Sequence, residues 1–152
     1  MKKILFVCHG NICRSPMAEF VMKHLVCEAG LADEISVTSK ALHRDEIGSD
    51  THRGTREVLR AHNIPFSKRR ASLMTAADYA AFDCIIGMDT ENMDDLDRLT
   101  GGDPDGKVRR LLSYIGVDRD VADPWYTGNF EATYRDVDAG CRALLKDLTK
   151  NA

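Results

Sequence analysis

Four short runs rich in apolar and β-branched residues, at positions 3–8, 35–39, 83–88 and 107–112, read as buried strands, and the segments between them carry helical spacing. From Ala18, the residues Ala18, Val21, Met22, Leu25, Val26 and Ala29 recur at helical intervals, with Pro16 opening the segment and Gly30 closing it. A second helix is expected over residues 51–62, before Pro65. Thr75 and Asp78 form a capping box for a short helix reaching Phe82, and another helix follows Met88. The last helix is expected over residues 130–148, where Phe130, Tyr134, Val137, Cys141, Leu144, Leu145 and Leu148 fall on one stripe. Strands alternating with helices imply an α/β fold, with a parallel sheet covered on both faces. In such sheets ligands bind beyond the carboxyl ends of the strands, where strand order reverses, so the end of the first strand is the place to look for chemistry.

At 152 residues the chain fits one domain, 1–152, with no internal repeat or long linker; the glycine-rich stretch 100–106 reads as a loop. A hydrophobic content of 43% and a charged content of 30% fit a globular protein rather than a disordered one. The net charge of −3 gives no positive field to hold a nucleic acid. No apolar run approaches the length of a bilayer span and none has a signal-peptide layout, so no membrane partner and a cytoplasmic location are expected. The five cysteines, at positions 8, 13, 27, 84 and 141, include no C-x-x-C pair, and no histidine stands at zinc-finger spacing. Reduced thiols fit better than a disulfide framework or a structural zinc.

The first strand runs directly into Cys8-His9-Gly10-Asn11-Ile12-Cys13-Arg14-Ser15-Pro16, after which a helix begins. The C-x5-R spacing alone is weak evidence, but its placement between a strand and a helix N-terminus is strong, because backbone N–H groups and the helix dipole there favour an anion such as phosphate. The same field favours a thiolate nucleophile at Cys8. Arg14 supplies a planar fork for two phosphate oxygens. Ser15 is placed to donate a hydrogen bond to the thiolate. Gly10 permits close approach or a positive φ, and Asn11 tolerates a left-handed conformation while tying the loop through its side chain. Cys27, Cys84 and Cys141 read as core residues. His24, His43, His52 and His62 share no spacing and read as solvated.

A departing oxygen needs an acid, and Asp123-Pro124-Trp125-Tyr126, in an expected loop before the last helix, offers one beside two aromatics that can wall a flat substrate. The cysteine loop and this Asp-Pro-Trp-Tyr segment together resemble the low-molecular-weight protein tyrosine phosphatase family over essentially the whole chain. The resemblance implies a four-stranded parallel sheet of flavodoxin-like, three-layer α/β/α winding, a phosphocysteine intermediate on Cys8, phosphate binding by Arg14 and the loop 9–15, and Asp123 as general acid. It also implies that Asn11 and Ser39 support the loop, and that no cofactor or metal takes part. The substrates it implies are phosphotyrosine-containing proteins, met by a monomer.

His9 and Asp45 depart from the family pattern at the mouth, and Lys68-Arg69-Arg70 stands where the family often carries a histidine; this basic run is expected to be solvated. Phosphoarginine hydrolysis is the nearest alternative, but members with that activity resemble this loop with Thr in place of Ile12. Arsenate reduction needs extra redox cysteines downstream, where only Cys84 lies. A noncatalytic phosphate-binding module is expected to lose the nucleophile or the acid, and both are present. Cys13, five residues after Cys8 in a loop that curls around one phosphate, is expected to face the nucleophile closely enough to trap an oxidised Cys8 as a disulfide.

Overall fold

The computed structural model describes residues 1–150, and its order is β1 (Lys2–Cys8), α1 (Arg14–Glu28), β2 (Ile35–Ala41), α2 (Arg53–Ala61), α3 (Asp78–Ala81), β3 (Cys84–Gly87), α4 (Thr90–Thr100), β4 (Val108–Arg110), a 3-10 helix (Leu111–Ile115), α5 (Pro124–Thr127) and α6 (Phe130–Thr149). The four strands form one all-parallel sheet in the order β2-β1-β3-β4. Chain order reverses between β1 and β3, so their carboxyl ends flank the crevice where such folds bind ligands.

Period-two alternation in β1 assigns its side chains to two layers. Ile4, Phe6 and Cys8 face the larger core with α1 and α6, whereas Leu5 and Val7 face a smaller core with Met74, Ile85 and Leu96. The result is the three-layer α/β/α arrangement of the flavodoxin-like class. α1 begins two residues before Pro16, which sits within its first turn, where a missing N–H costs little. Its first half, from Arg14 to Met22, is buried all round rather than along one stripe, because α1 lies between the sheet and α6.

Three expectations are corrected. The fourth strand stops at Arg110, and Leu111 and Leu112 enter a 3-10 turn in which both are fully buried; as consecutive strand residues they would point to opposite faces. Only half of the Thr75–Asp78 box forms: the Asp78 carboxylate accepts from Thr75 N at 2.8 Å, but the Thr75 hydroxyl also donates to it, and α3 is capped at Ala77. Full reciprocal capping occurs instead at Asp89 and Asn92, opening α4. Third, Cys27 is exposed near the end of α1, outside the core.

α6 approaches the 3-10 helix through Gly140, where an added Cβ would lie 2.5 Å from Leu111 Cγ. Leu111 is fully buried and has nowhere to retreat. Gly140→Ala is therefore expected to lose about 1–3 kcal/mol to overpacking, outweighing the gain of roughly 1 kcal/mol in helix propensity. Urea unfolding of the variant checks this, and unchanged or increased stability would show that the contact relaxes.

Candidate active site

β1 delivers Cys8, buried to 3% exposure, to the floor of a cleft of about 390 Å³. The Ser15 backbone N–H donates to Cys8 Sγ at 3.4 Å, and Ser15 Oγ lies 3.0 Å from the same sulfur. Asn11, in the left-handed region at φ 60°, donates from Nδ2 to Ser15 Oγ at 2.8 Å and to Ser39 Oγ at 2.9 Å. Ser15 Oγ thereby has its acceptor role filled, which leaves its proton for the sulfur. Ser39 in turn donates to Glu19 Oε1 at 2.6 Å, and Lys23 donates to Glu19 Oε2 at 2.6 Å. The donors run outward from the Asn11 amide, through Ser15 toward the sulfur on one side and through Ser39 to the Glu19 carboxylate on the other, and each bond polarises the next along its branch. Gly10 does not take a positive φ; Asn11 is the left-handed residue of this loop.

The other end of Asn11 is held by a residue expected to be solvated. Arg69 donates from Nη1 to Asn11 O at 3.0 Å and from Nη2 to Asn11 Oδ1, and Ser72 N donates to Oδ1 at 3.3 Å. Burial lowers the Arg69 pKa against the pull of nearby Glu19, Cys8 and Asp50. The basic run is thus split, with Arg69 turned inward to satisfy a buried carbonyl and amide that the loop cannot satisfy by itself.

Arg14 is only 2% exposed. Its Nη1 donates to Asp89 Oδ2 at 2.7 Å and to Val121 O at 2.9 Å, and its Nη2 lies 3.5 Å from Asp123 Oδ2. Burial opposes the charge, but the negative groups Cys8, Asp89 and Asp123 more than offset it and raise the pKa. Both Nη1 hydrogens are committed, which leaves the Nε–Nη2 edge for side-on contact with two oxygens. Asp89 was not singled out from the sequence; its position at the end of β3, opposite the β1 loop, is the signal that would have marked it.

Asp123 caps a single helical turn, Pro124–Thr127, and not an open loop; its Oδ1 accepts from Trp125 N at 3.0 Å. Trp125 and Tyr126 stand 57% and 84% exposed on the cleft wall, and Ile12 and Cys13 line the same space. His52, expected to be solvated, caps α2, stacks on Phe130 at 5.0 Å and meets the Trp125 ring edge-on at 5.7 Å. His62 also departs from that expectation, stacking on Tyr134 and pairing with Glu131. Burial and the charge of Cys8 push the Cys13 thiol up to about 12, so it stays protonated at neutral pH. On the opposite rim, burial pulls the His9 pKa down, but Asp45 at 2.6 Å and Glu91 at 3.6 Å raise it overall. Among the described residues no helix is long and apolar enough to cross a membrane.

The chain matches the family model described as low molecular weight phosphotyrosine protein phosphatase over residues 3–152. It is 40% identical to a Bacillus subtilis relative, the low molecular weight protein-tyrosine-phosphatase YfkJ, over 99% of this chain and 97% of that protein. A Staphylococcus haemolyticus relative, PtpA, carries the same family name and is 37% identical over 100% and 97%. The YfkJ crystal structure superposes with a TM-score of 0.96 over 99% of this chain and 96% of that one. A structure of a drosophila arginine phosphatase gives 0.88 at 31% identity, covering 98% of each chain.

Arg69→Ala is expected to strip the buried Asn11 carbonyl of its partner and to leave Oδ1 with Ser72 alone, at a cost of about 1–3 kcal/mol in stability, and to loosen the Asn11 turn. Denaturant unfolding and the inhibition constant of inorganic phosphate both report on it. If neither changes, Arg69 does not brace the loop.

Proposed function

The chain belongs to the low molecular weight phosphotyrosine protein phosphatase family and is a hydrolase, and from that premise we propose that it removes phosphate from tyrosine in proteins through a phosphocysteine on Cys8. The observation that carries this reading is the convergence of Cys8 and Arg14, from the loop after β1, and Asp123, from the distant segment before α5, on one cleft. Cys8 Sγ attacks phosphorus as the bond to the tyrosine oxygen breaks, and Asp123 gives its proton to that leaving oxygen. Arg14, steadied by Asp89, grips the phosphoryl oxygens through its free edge as negative charge is redistributed. Water then attacks the phosphocysteine, Asp123 takes its proton back, and inorganic phosphate leaves. Loop residues His9 through Cys13, with Ser15, surround the phosphoryl group, Ser39 braces Asn11, and Ile12, Trp125 and Tyr126 flank the aryl ring. The reading is of one domain acting as a cytoplasmic monomer.

A redox relay of the arsenate-reducing kind has little support. Cys84 pairs in register with Ile4, four residues back along β1 from Cys8, which puts it roughly 13 Å from the site along the strand. Cys27 is exposed on α1, and Cys141 is fully buried in α6.

Purified protein assayed on phosphotyrosine, phosphoserine and phosphoarginine peptides tests the substrate class. Phosphotyrosine is expected to be cleaved fastest, because only a long flat group carries phosphorus down to Cys8 along the aromatic wall. Faster release from phosphoarginine would transfer the activity to that named for the drosophila relative. Asp123→Asn is expected to lose more activity as the leaving phenol becomes more basic; equal losses across a series of aryl phosphates would remove Asp123 from the acid role.

Cys13 adds a redox expectation. Peroxide converts the Cys8 thiolate to a sulfenic acid, and the neighbouring thiol condenses with it, releasing water and closing a disulfide. Wild type is expected to regain most activity with dithiothreitol, and Cys13→Ser to be inactivated faster and permanently. Equal recovery would leave Cys13 a packing residue.

A further inference from the structure

The rim above Cys8 holds a second group of chemically able side chains. His9 follows Cys8 in the loop, and His43 stands two residues beyond the end of β2, with its backbone N–H donating to His9 O at 3.0 Å. Their rings lie side by side, 4.1 Å apart and 18° from parallel. Glu91, in the first turn of α4, brings Oε1 within 3.6 Å of His9 Nδ1. One donor atom of each of the three lies within 4.8 Å of the others. Two zinc–ligand bonds in line span about 4.2 Å, so a small closure seats all three on one ion.

The groups behind the rings favour ligation. His9 Nε2 pairs with Asp45 at 2.6 Å, and His43 Nε2 pairs with Asp95 at 2.8 Å. A neutral imidazole facing a carboxylate through Nε2 keeps its proton there and offers the lone pair of Nδ1. Carboxylate–histidine pairs of this kind fix the tautomer and strengthen the imidazole as a metal ligand. For the lone pairs to converge the rings must tilt out of their stack, and exposures of 40% and 38% leave room for that rotation.

We propose that His9, His43 and Glu91 form a binding site for a divalent first-row transition ion, with zinc the best match, and that its occupancy restrains the phosphatase. Two imidazoles and one carboxylate suit zinc better than magnesium or calcium, which take oxygen ligands. His9 and Glu91 both line the cleft. An ion joining them ties the Glu91 side chain to the β1 loop across the mouth and hinders entry of an aryl phosphate, while Cys8, Arg14 and Asp123 stay in place.

Binding is tested first and without substrate, so that its result stands apart from the phosphatase reading, on which only the inhibition rests. Cys8→Ser protein, which lacks the competing thiolate, is titrated with zinc by calorimetry and with cobalt by visible absorption. One ion per chain is expected, with ligand-field bands and no thiolate charge-transfer band. His43→Ala and Glu91→Gln should each weaken binding at least about tenfold, and Asp95→Asn by roughly ten- to a hundredfold. In the protein with Cys8 intact, zinc should raise KM for a phosphotyrosine peptide more than it lowers kcat. His43→Ala should keep basal activity and need at least about tenfold more zinc for the same effect. Zinc affinity unchanged in His43→Ala, or lost in Cys8→Ser, would overturn the site; binding that left KM untouched would overturn the restraint. A protein that bound zinc but cleaved no phosphotyrosine would retain the site and refute the phosphatase reading instead.

Discussion

A guanidinium that is almost completely buried is stable only if the protein surrounds it with negative charge, and Arg14 imposes that requirement on the whole molecule. Its partners are Asp89 at the end of β3, the Val121 carbonyl and, more loosely, Asp123. They come from positions 75, 107 and 109 residues further along the chain. The segment after the 3-10 helix must therefore pass over the start of α1. That path also brings Asp123 to the cleft and sets α5 on its wall. One buried cation thus ties the phosphate loop to the far third of the chain.

The second constraint is the Asn11 turn. A left-handed, fully buried asparagine has a carbonyl and a side-chain amide that water cannot reach. Ser15 and Ser39 take its two amide hydrogens, while Arg69 and Ser72 supply donors to its oxygens. The turn aligns Ser15 with the sulfur, so the polar atoms that satisfy the backbone also set the environment of the thiol. Glu19 closes this network from α1, and its own charge is met by Lys23 one helical turn on.

The two sides of the cleft differ in character. Trp125, supported by His52 and Phe130, gives an aromatic wall, whereas Asp45, Glu91 and the His9–His43 pair give a polar one rich in metal-ligating atoms. The proposed chemistry lies on the floor, and the histidine pair and its carboxylates lie on the rim, where solvent reduces the cost of a charge.

Local rules made the β1 strand, its run into the Cys8–Arg14 loop and the final helix legible in the sequence, because hydrophobic period, a cysteine–arginine loop and an apolar stripe are each written within about twenty residues. The aromatic pair after Asp123 was legible for the same reason, although its helical turn was not. Glu19 and the inward turn of Arg69 were invisible, since each acts on a partner 20 to 58 residues away and neither departs from ordinary surface composition, while Asp89 was marked only by its place at the end of β3. The 3-10 turn at Leu111 was also illegible, because the contact of Leu111 with Gly140 on α6 joins residues 29 positions apart. Chain-local pattern determined which side chains are the candidates for the chemistry. Only the packing of distant segments decided which charges and hydrogen bonds hold them in place, because a buried polar group must be satisfied by whatever the fold brings within 3 Å or so of it.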